Sequence, residues 1–316
     1  MTARGAGRRL AGRAWVAGVA VLAVVAMACA GEERGPAAAP EPGVRVASFN
    51  FPESRLMAEV YAQALEDEGV PVVREFDLGP RELVVPALRQ DLVDVVPEYL
   101  GTAYTVAEPG TSIEGEDAAE VHRRLAAAVE PWGLRVLAPA EAQNQNGLAV
   151  TRATAERRGL RQVSDLAPVA DRLVLGGPPE CPDRRYCLVG LRDVYGLRFA
   201  SFVPLVGSDL VRRALEDGVV DVGVLFTTDG ALAGDELVLL ADDGGLQPVE
   251  NLVPLVREEV LAGADGERVA TALDEVSRRL TTANLRFLNW RVAVAGNEPA
   301  QEARGWLVRQ GLVARG

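Results

Sequence analysis

Two aromatic residues, Tyr99 and Phe226, close two copies of one short pattern. ALRQDLVDVVPEYLGT from Ala87 lies without gaps over ALEDGVVDVGVLFTTD from Ala214, about 127 residues later. In each copy Ala-Leu is followed by Val-Asp-Val and then by the ring, with Thr102 after the first and Thr227 and Thr228 after the second. A ring face receives apolar or cationic groups, and a hydroxyl both donates and accepts hydrogen bonds, so the pattern suits recognition more than bond breaking. The chemistry the chain lacks agrees. All 33 basic residues are arginine, which excludes a P-loop lysine, a kinase lysine and a Schiff-base lysine. One histidine, His122, lies among charged residues on an expected helix and reads as a solvated surface group. With no second histidine, no GxSxG and no HExxH, neither a nucleophilic triad nor a metal site is expected, and no cofactor is called for.

The three cysteines divide in two ways. Cys181 and Cys187 bracket the loop ECPDRRYC, where a short disulfide is expected in an exported protein. Cys29 follows Ala28 at the end of an N-terminal stretch with Arg4, Arg8, Arg9 and Arg13 ahead of an apolar run from Trp15, the layout of an export signal over residues 1–28. Ala26-Met27-Ala28 fits ordinary signal cleavage, and Ala28-Cys29 resembles a lipobox with a lipidated Cys29. Residues 29–43, rich in Ala, Pro, Gly and Glu, then read as a tether that holds a folded domain off a membrane. Loss of the four signal arginines takes the formal charge from −12 to −16, and so acidic a domain is a poor nucleic-acid binder.

The rings need elements to hold them. Hydrophobic periodicity predicts strands over 44–48, 72–76, 93–96, 134–137, 148–151, 173–175 and 219–226. Helices are expected from Phe51 to Gly69, then over 81–89, 117–130, 209–217, 267–279, 282–290 and 298–310. Strands alternating with helices argue for a mostly parallel sheet covered on both faces, whose ligands lie beyond the carboxyl ends of the strands. Tyr99 and Phe226 are both at such ends. If the repeat marks two related lobes, the two rings face each other across a cleft.

From Val44 to about Leu312 the chain resembles the substrate-binding proteins of ABC importers for glycine betaine, choline and related osmoprotectants. The likeness rests on SFNFPES at Ser48, VPALRQDLVDVVPEYLGT at Val85, GLAVT at Gly147, LVLGGPPE at Leu173, GLRDVYGL at Gly190, the block from Ala214 and the closing LTTANLRFLNWRV. It implies the two-lobed periplasmic-binding-protein fold of type II: an α/β protein with two mixed sheets flanked by helices and a ligand cleft between the lobes. One lobe would be 44–144 plus 249–316 and the other 145–248.

It also implies an aromatic box for a trimethylammonium head, which has no N–H to donate and is held by ring faces. Tyr99 and Thr102 keep that pattern, Phe226 stands where a tyrosine is common, and Arg184 keeps an arginine after PPE. Two rings are replaced, one by Asn146 with Asn144 beside it, the other by Glu250. Cys181 replaces a further aromatic, and Tyr186 is inserted in the same loop. Tyr99, Thr102, Asn144, Asn146, Arg184, Phe226, Thr227 and Glu250 are therefore the expected ligand contacts, with Asp229 shaping the turn. The implied function is capture of a small osmolyte outside the membrane, without catalysis, by a monomer that delivers it to a separately encoded permease and ATPase. The alternatives are a non-quaternary amine or amino-acid-like solute in the same fold, a secreted enzyme, or a sensory lipoprotein.

Overall fold

The computed structural model describes residues 43–314. The export signal, Cys29 and nearly all of the tether fall outside the described residues.

Among the described residues ten strands form two five-stranded sheets. The first contains β1 (Val44–Ala47), β2 (Val72–Glu75), β3 (Val95–Tyr99), β4 (Leu134–Val136) and, from much later in the chain, β10 (Leu252–Arg257). The second contains β5 (Asn146–Thr151), β6 (Val174–Gly177), β7 (Ser201–Pro204), β8 (Val222–Phe226) and β9 (Leu237–Leu239). The orders β2-β1-β3-β10-β4 and β7-β6-β8-β5-β9 are the same arrangement twice. Helices α1 (Pro52–Asp67), α2 (Arg81–Arg89), α3 (Leu100–Ala107) and α4 (Ala118–Val129) connect the first set of strands. Helices α5 (Arg152–Arg158), α6 (Gly190–Tyr195) and α7 (Ser208–Glu216) belong to the second. The chain closes with α8 (Glu258–Ala262), α9 (Gly266–Arg279), α10 (Thr282–Asn289) and α11 (Pro299–Gln310).

Both sheets are mixed, as the resemblance implies, and four of the five strands in each run the same way. In each sheet a single inner strand, the fourth in order, β10 or β5, runs antiparallel to both of its neighbours. These two strands are the ones that arrive from the other lobe, so they enter their sheets at the end where the resident strands leave. The chain crosses between lobes over 137–145 and again over 240–251. The crossings are themselves paired: Asn144 N donates to the Glu250 carbonyl at 3.0 Å, and Gln143 bridges Asn251.

Strand alternation explains why both faces of each sheet are covered. On β10, Leu252 and Val256 join a core with α1, α9, α10 and α11, whereas Val253 and Leu255 join one with α3 and α4. On β5, Leu148 and Val150 face one core and Ala149 the other. Each fully buried leucine or valine contributes about 1.5–3 kcal/mol.

The sequence repeat has a structural meaning at its aspartates. Asp94 accepts the Arg45 backbone N–H at 2.8 Å, and Asp221 accepts that of Val174 at 2.9 Å. Each thus clamps the first residue or second residue of the parallel strand beside it, and holds the strand whose far end bears the ring. In the first lobe Arg45 and Arg257 also pair with Asp94, and although its burial opposes ionisation, these partners hold its carboxyl below the usual range.

His122 differs from its sequence reading as a solvated residue. It is half-buried on α4, with ring Nε2 2.9 Å from the Leu137 carbonyl at the first crossing.

Candidate functional site

Between the sheets lies a cleft of about 820 Å³. Tyr99, at the carboxyl end of β3, and Phe226, at that of β8, both line it, together with Phe51 from the N-terminus of α1. The Phe51 and Tyr99 rings lie 6.3 Å apart and tilted by 30°. Phe226 is 48% exposed, an unusual state for a phenylalanine in a strand, and its ring is open to the cleft.

Below the rings is a buried carboxylate that sequence reasoning did not single out. Glu53 accepts the Tyr99 hydroxyl, Asn144 Nδ2 at 2.8 Å, and Asn289 Nδ2 from α10. Burial pushes its carboxyl up, and hydrogen bonds from Thr228, Tyr99, Asn289 and Asn144 draw it back. Burial and the neighbouring Glu53 in turn raise the Tyr99 phenol. Asn289 also donates to the Thr228 carbonyl at 2.8 Å, and Arg286 donates to the Thr227 carbonyl at 2.8 and 3.0 Å. Glu53 is therefore the node where α1, β3, the first crossing, α10 and the strand end after Phe226 meet. A glutamate after Pro52 in a first helical turn reads from sequence as an exposed partner of the helix dipole, which is why the signal was missed. Phe51, Asn289 and Arg286 were missed as well, although SFNFPES and LTTANLRFLNW contain them.

A second carboxylate, Glu250, comes from the second crossing. It accepts Thr102 Oγ1 at 2.7 Å and Thr102 N at 3.0 Å, at the N-terminus of α3. Gly101 makes this approach attainable, since a Cβ there would stand 2.5 Å from the Val249 carbonyl oxygen. Tyr99, Gly101 and Thr102 thus do three different things: one makes a wall, one admits the crossing, one holds its carboxylate. Burial pushes the Glu250 carboxyl up to about 7 against the Thr102 hydrogen bonds, with nearby Glu98 raising it further and Arg81 drawing it down. Arg81 lines the cleft but is held by Glu98 at 2.7 and 3.0 Å.

Thr102, Asn144, Phe226 and Glu250 also border an adjoining cavity of about 340 Å³, where Asn146 and Tyr186 complete the wall. Asn146 is the register partner of Phe226 on β5. Thr227 borders neither of these two cavities: its hydroxyl donates to the Gln143 carbonyl at 2.7 Å and accepts from Gln145 N, which ties the strand end to the first crossing. Asp229 accepts Ala231 N at the turn. Arg184 is exposed and lines neither cavity, and the arginine beside it, Arg185, pairs with Glu114 of the opposite lobe. Cys181 and Cys187 are joined in a disulfide that closes the loop carrying Tyr186. Among the described residues no cluster of metal-ligating side chains occurs, and no helix is long and apolar enough to cross a membrane.

Residues 42–309 match the family described as the substrate-binding domain of ABC-type glycine betaine transport systems. The chain belongs to this family. It is 31% identical over 283 residues to the glycine-betaine-binding protein of Pseudomonas aeruginosa, covering 86% of this chain and 89% of that one. The glycine betaine-binding protein YehZ of Escherichia coli is 26% identical over 307 residues, covering 94% and 97%. A crystal structure of a glycine betaine/carnitine/choline ABC transporter protein superposes with a TM-score of 0.79 at 22% identity, over 85% of this chain and 99% of that one. The type II periplasmic-binding-protein fold, two mixed sheets flanked by helices, is thereby established for the substrate-binding chain of this family.

Proposed function

We propose that the chain is the extracytoplasmic substrate-binding component of an ABC importer and captures a small quaternary-ammonium osmoprotectant, with glycine betaine and choline the first ligands to try. The observation that carries this reading is the convergence of three ring faces, Phe51, Tyr99 and Phe226, and the Glu250 carboxylate on one cleft. A methylated cation offers no hydrogen-bond donor, so ring quadrupoles and a carboxylate are what can hold it, each ring contributing about 0.5–2 kcal/mol. Thr102, Asn144 and Asn146 would border the rest of the ligand, with Tyr186 as a fourth aromatic edge.

In this reading residues 44–144 with 249–316 form one lobe and 145–248 the other, and the paired crossings are the hinge on which they close. Nothing is turned over. A permease and an ATPase encoded separately would carry out transport, and a lipid on Cys29 would hold the monomer at the membrane.

Calorimetric titration of the signal-free chain with glycine betaine, choline, proline betaine and carnitine tests the proposal. Expected is micromolar binding weakened roughly 2- to 30-fold in Phe226→Ala, the loss of one ring. A second reading, an amine that carries N–H groups, is favoured by Asn144 Oδ1, which is buried without a hydrogen-bond partner. Binding of proline, ectoine or a diamine alongside silence toward every quaternary compound would select it.

A further inference from the structure

Beyond the two cavities described lies a third, of about 220 Å³, wholly within the second lobe and beneath the disulfide loop. Its walls are mainly apolar, with Leu148, Leu191, Val224, Leu240 and Leu246 prominent. It adjoins the second cavity through a collar of Gln145, Asn146, Tyr186 and Gln247, which border both. The Tyr186 carbonyl fixes this collar by accepting Asn146 Nδ2 at 3.4 Å and Gln247 Nε2 at 3.2 Å. Three cavities therefore run in a row, from the rings past Thr102 and Asn146 to an apolar end.

The charges along this row are uneven. The first cavity is bordered by Glu53, Asp209, Asp229 and Glu250, and its one arginine, Arg81, is engaged by Glu98. No arginine borders the second or third cavity. The one carboxylate of the third, Asp242, is committed to the Tyr195 hydroxyl and to the backbone N–H groups of Leu246 and Gln247. A ligand's positive end is thus provided for at one extremity, and neither further charge nor a counter-charge is provided for at the other. A compact osmolyte bound at the rings would leave the apolar chamber without a role. A space of about 220 Å³ takes several methylene-sized groups, at about 30 Å³ for a water-sized one.

We propose that the cleft takes an elongated cation: a quaternary head against Phe51, Tyr99 and Phe226, an uncharged body past Asn146, and an apolar tip in the chamber under the Cys181–Cys187 loop. This rests on the cation reading above and narrows its substrate class. Asn146 is the aperture, and a larger side chain at that position would close the passage. Leu246 and Leu239 line the chamber and not the ring cavity, so they set the length of tip accepted.

The test is titration of the signal-free chain with tetramethylammonium and with butyl-, hexyl- and octyltrimethylammonium. Affinity is expected to rise about fourfold per methylene until the chamber is filled. In Leu246→Phe the octyl compound should lose at least tenfold while tetramethylammonium stays within twofold. Leu239→Phe gives the same readout if the first variant folds poorly. Tetramethylammonium binding with no gain along the series overturns the elongated ligand and leaves the cation reading standing. A gain that survives unchanged in both variants also overturns it, because the tip then lies elsewhere. Silence toward all four compounds, and toward choline, overturns both.

Discussion

With the cation placed beside Glu250 as proposed, its affinity is expected to depend on pH, and the direction follows from the surroundings of that residue. Without ligand its carboxyl is pushed up to about 7 by burial, so near neutrality it is half protonated and a poor counter-ion. A cation bound beside it favours the carboxylate. If binding returns the group to its ordinary 4.5, linkage predicts about half a proton released per cation bound at pH 7. Going from pH 8 to pH 5.5 the affinity then falls by about 25-fold, or about 2 kcal/mol. The unliganded protein behaves in the opposite sense. An acid whose folded value lies above its unfolded one binds more protons when folded, so stability is lost as pH rises from about 4.5 through 7, by at most about 3 kcal/mol. Titration calorimetry at several pH values, in buffers of different ionisation enthalpy, reads both the affinity and the proton count. Glu250→Gln should bind a quaternary ligand with a flat profile and no proton release. A flat profile in the unmodified chain, or the same slope in Glu250→Gln, refutes the placement of the cation beside this carboxylate.

Three further outcomes are expected. Gly101→Ala puts a methyl 2.5 Å from the Val249 carbonyl oxygen and 2.8 Å from Ile113 Cδ1, and should cost about 1–3 kcal/mol and several degrees in a thermal melt. An unchanged melt would mean that the second crossing moves freely over α3. Glu53→Ala leaves the Tyr99 hydroxyl and the amides of Asn144 and Asn289 without their common acceptor, a loss of about 2–4 kcal/mol that urea unfolding would show. A variant as stable as the parent would remove Glu53 as the node of these contacts. Replacing Cys181 and Cys187 together by serine releases a short loop and should cost about 2 kcal/mol by chain entropy, seen as a lower melting temperature that reducing agent no longer shifts.

Much of the fold was legible because it depends on local patterns. The repeat at Ala87 and Ala214 returns as α2 with β3 and α7 with β8, at the same spacing of 127 residues from helix start to strand end. Its Val-Asp-Val aspartates bind their neighbouring strands in the same way in both lobes. Hydrophobic period and capping signals located α9, α10 and α11 to within a residue, because those helices bury one amphipathic face. The sequence likewise marked Tyr99, Phe226, Thr102 and Glu250 as candidates, and the fold brings all four to one cleft.

What the sequence by itself determined was residue chemistry: no lysine, one histidine, rings at two strand ends, and so groups suited to holding a molecule. Tertiary structure alone decided partnership. Glu53 and Asn289 stand 236 residues apart in the chain and meet only because α10 packs against the strand end after Phe226. Glu250 becomes a buried acid titrating near 7 only because Gly101 lets the second crossing press onto α3. Arg184 and Arg185 are indistinguishable as neighbouring arginines in sequence, yet only the second reaches across to Glu114. Residue type is carried by the one-dimensional code, whereas desolvation and contact depend on which distant surfaces exclude water together.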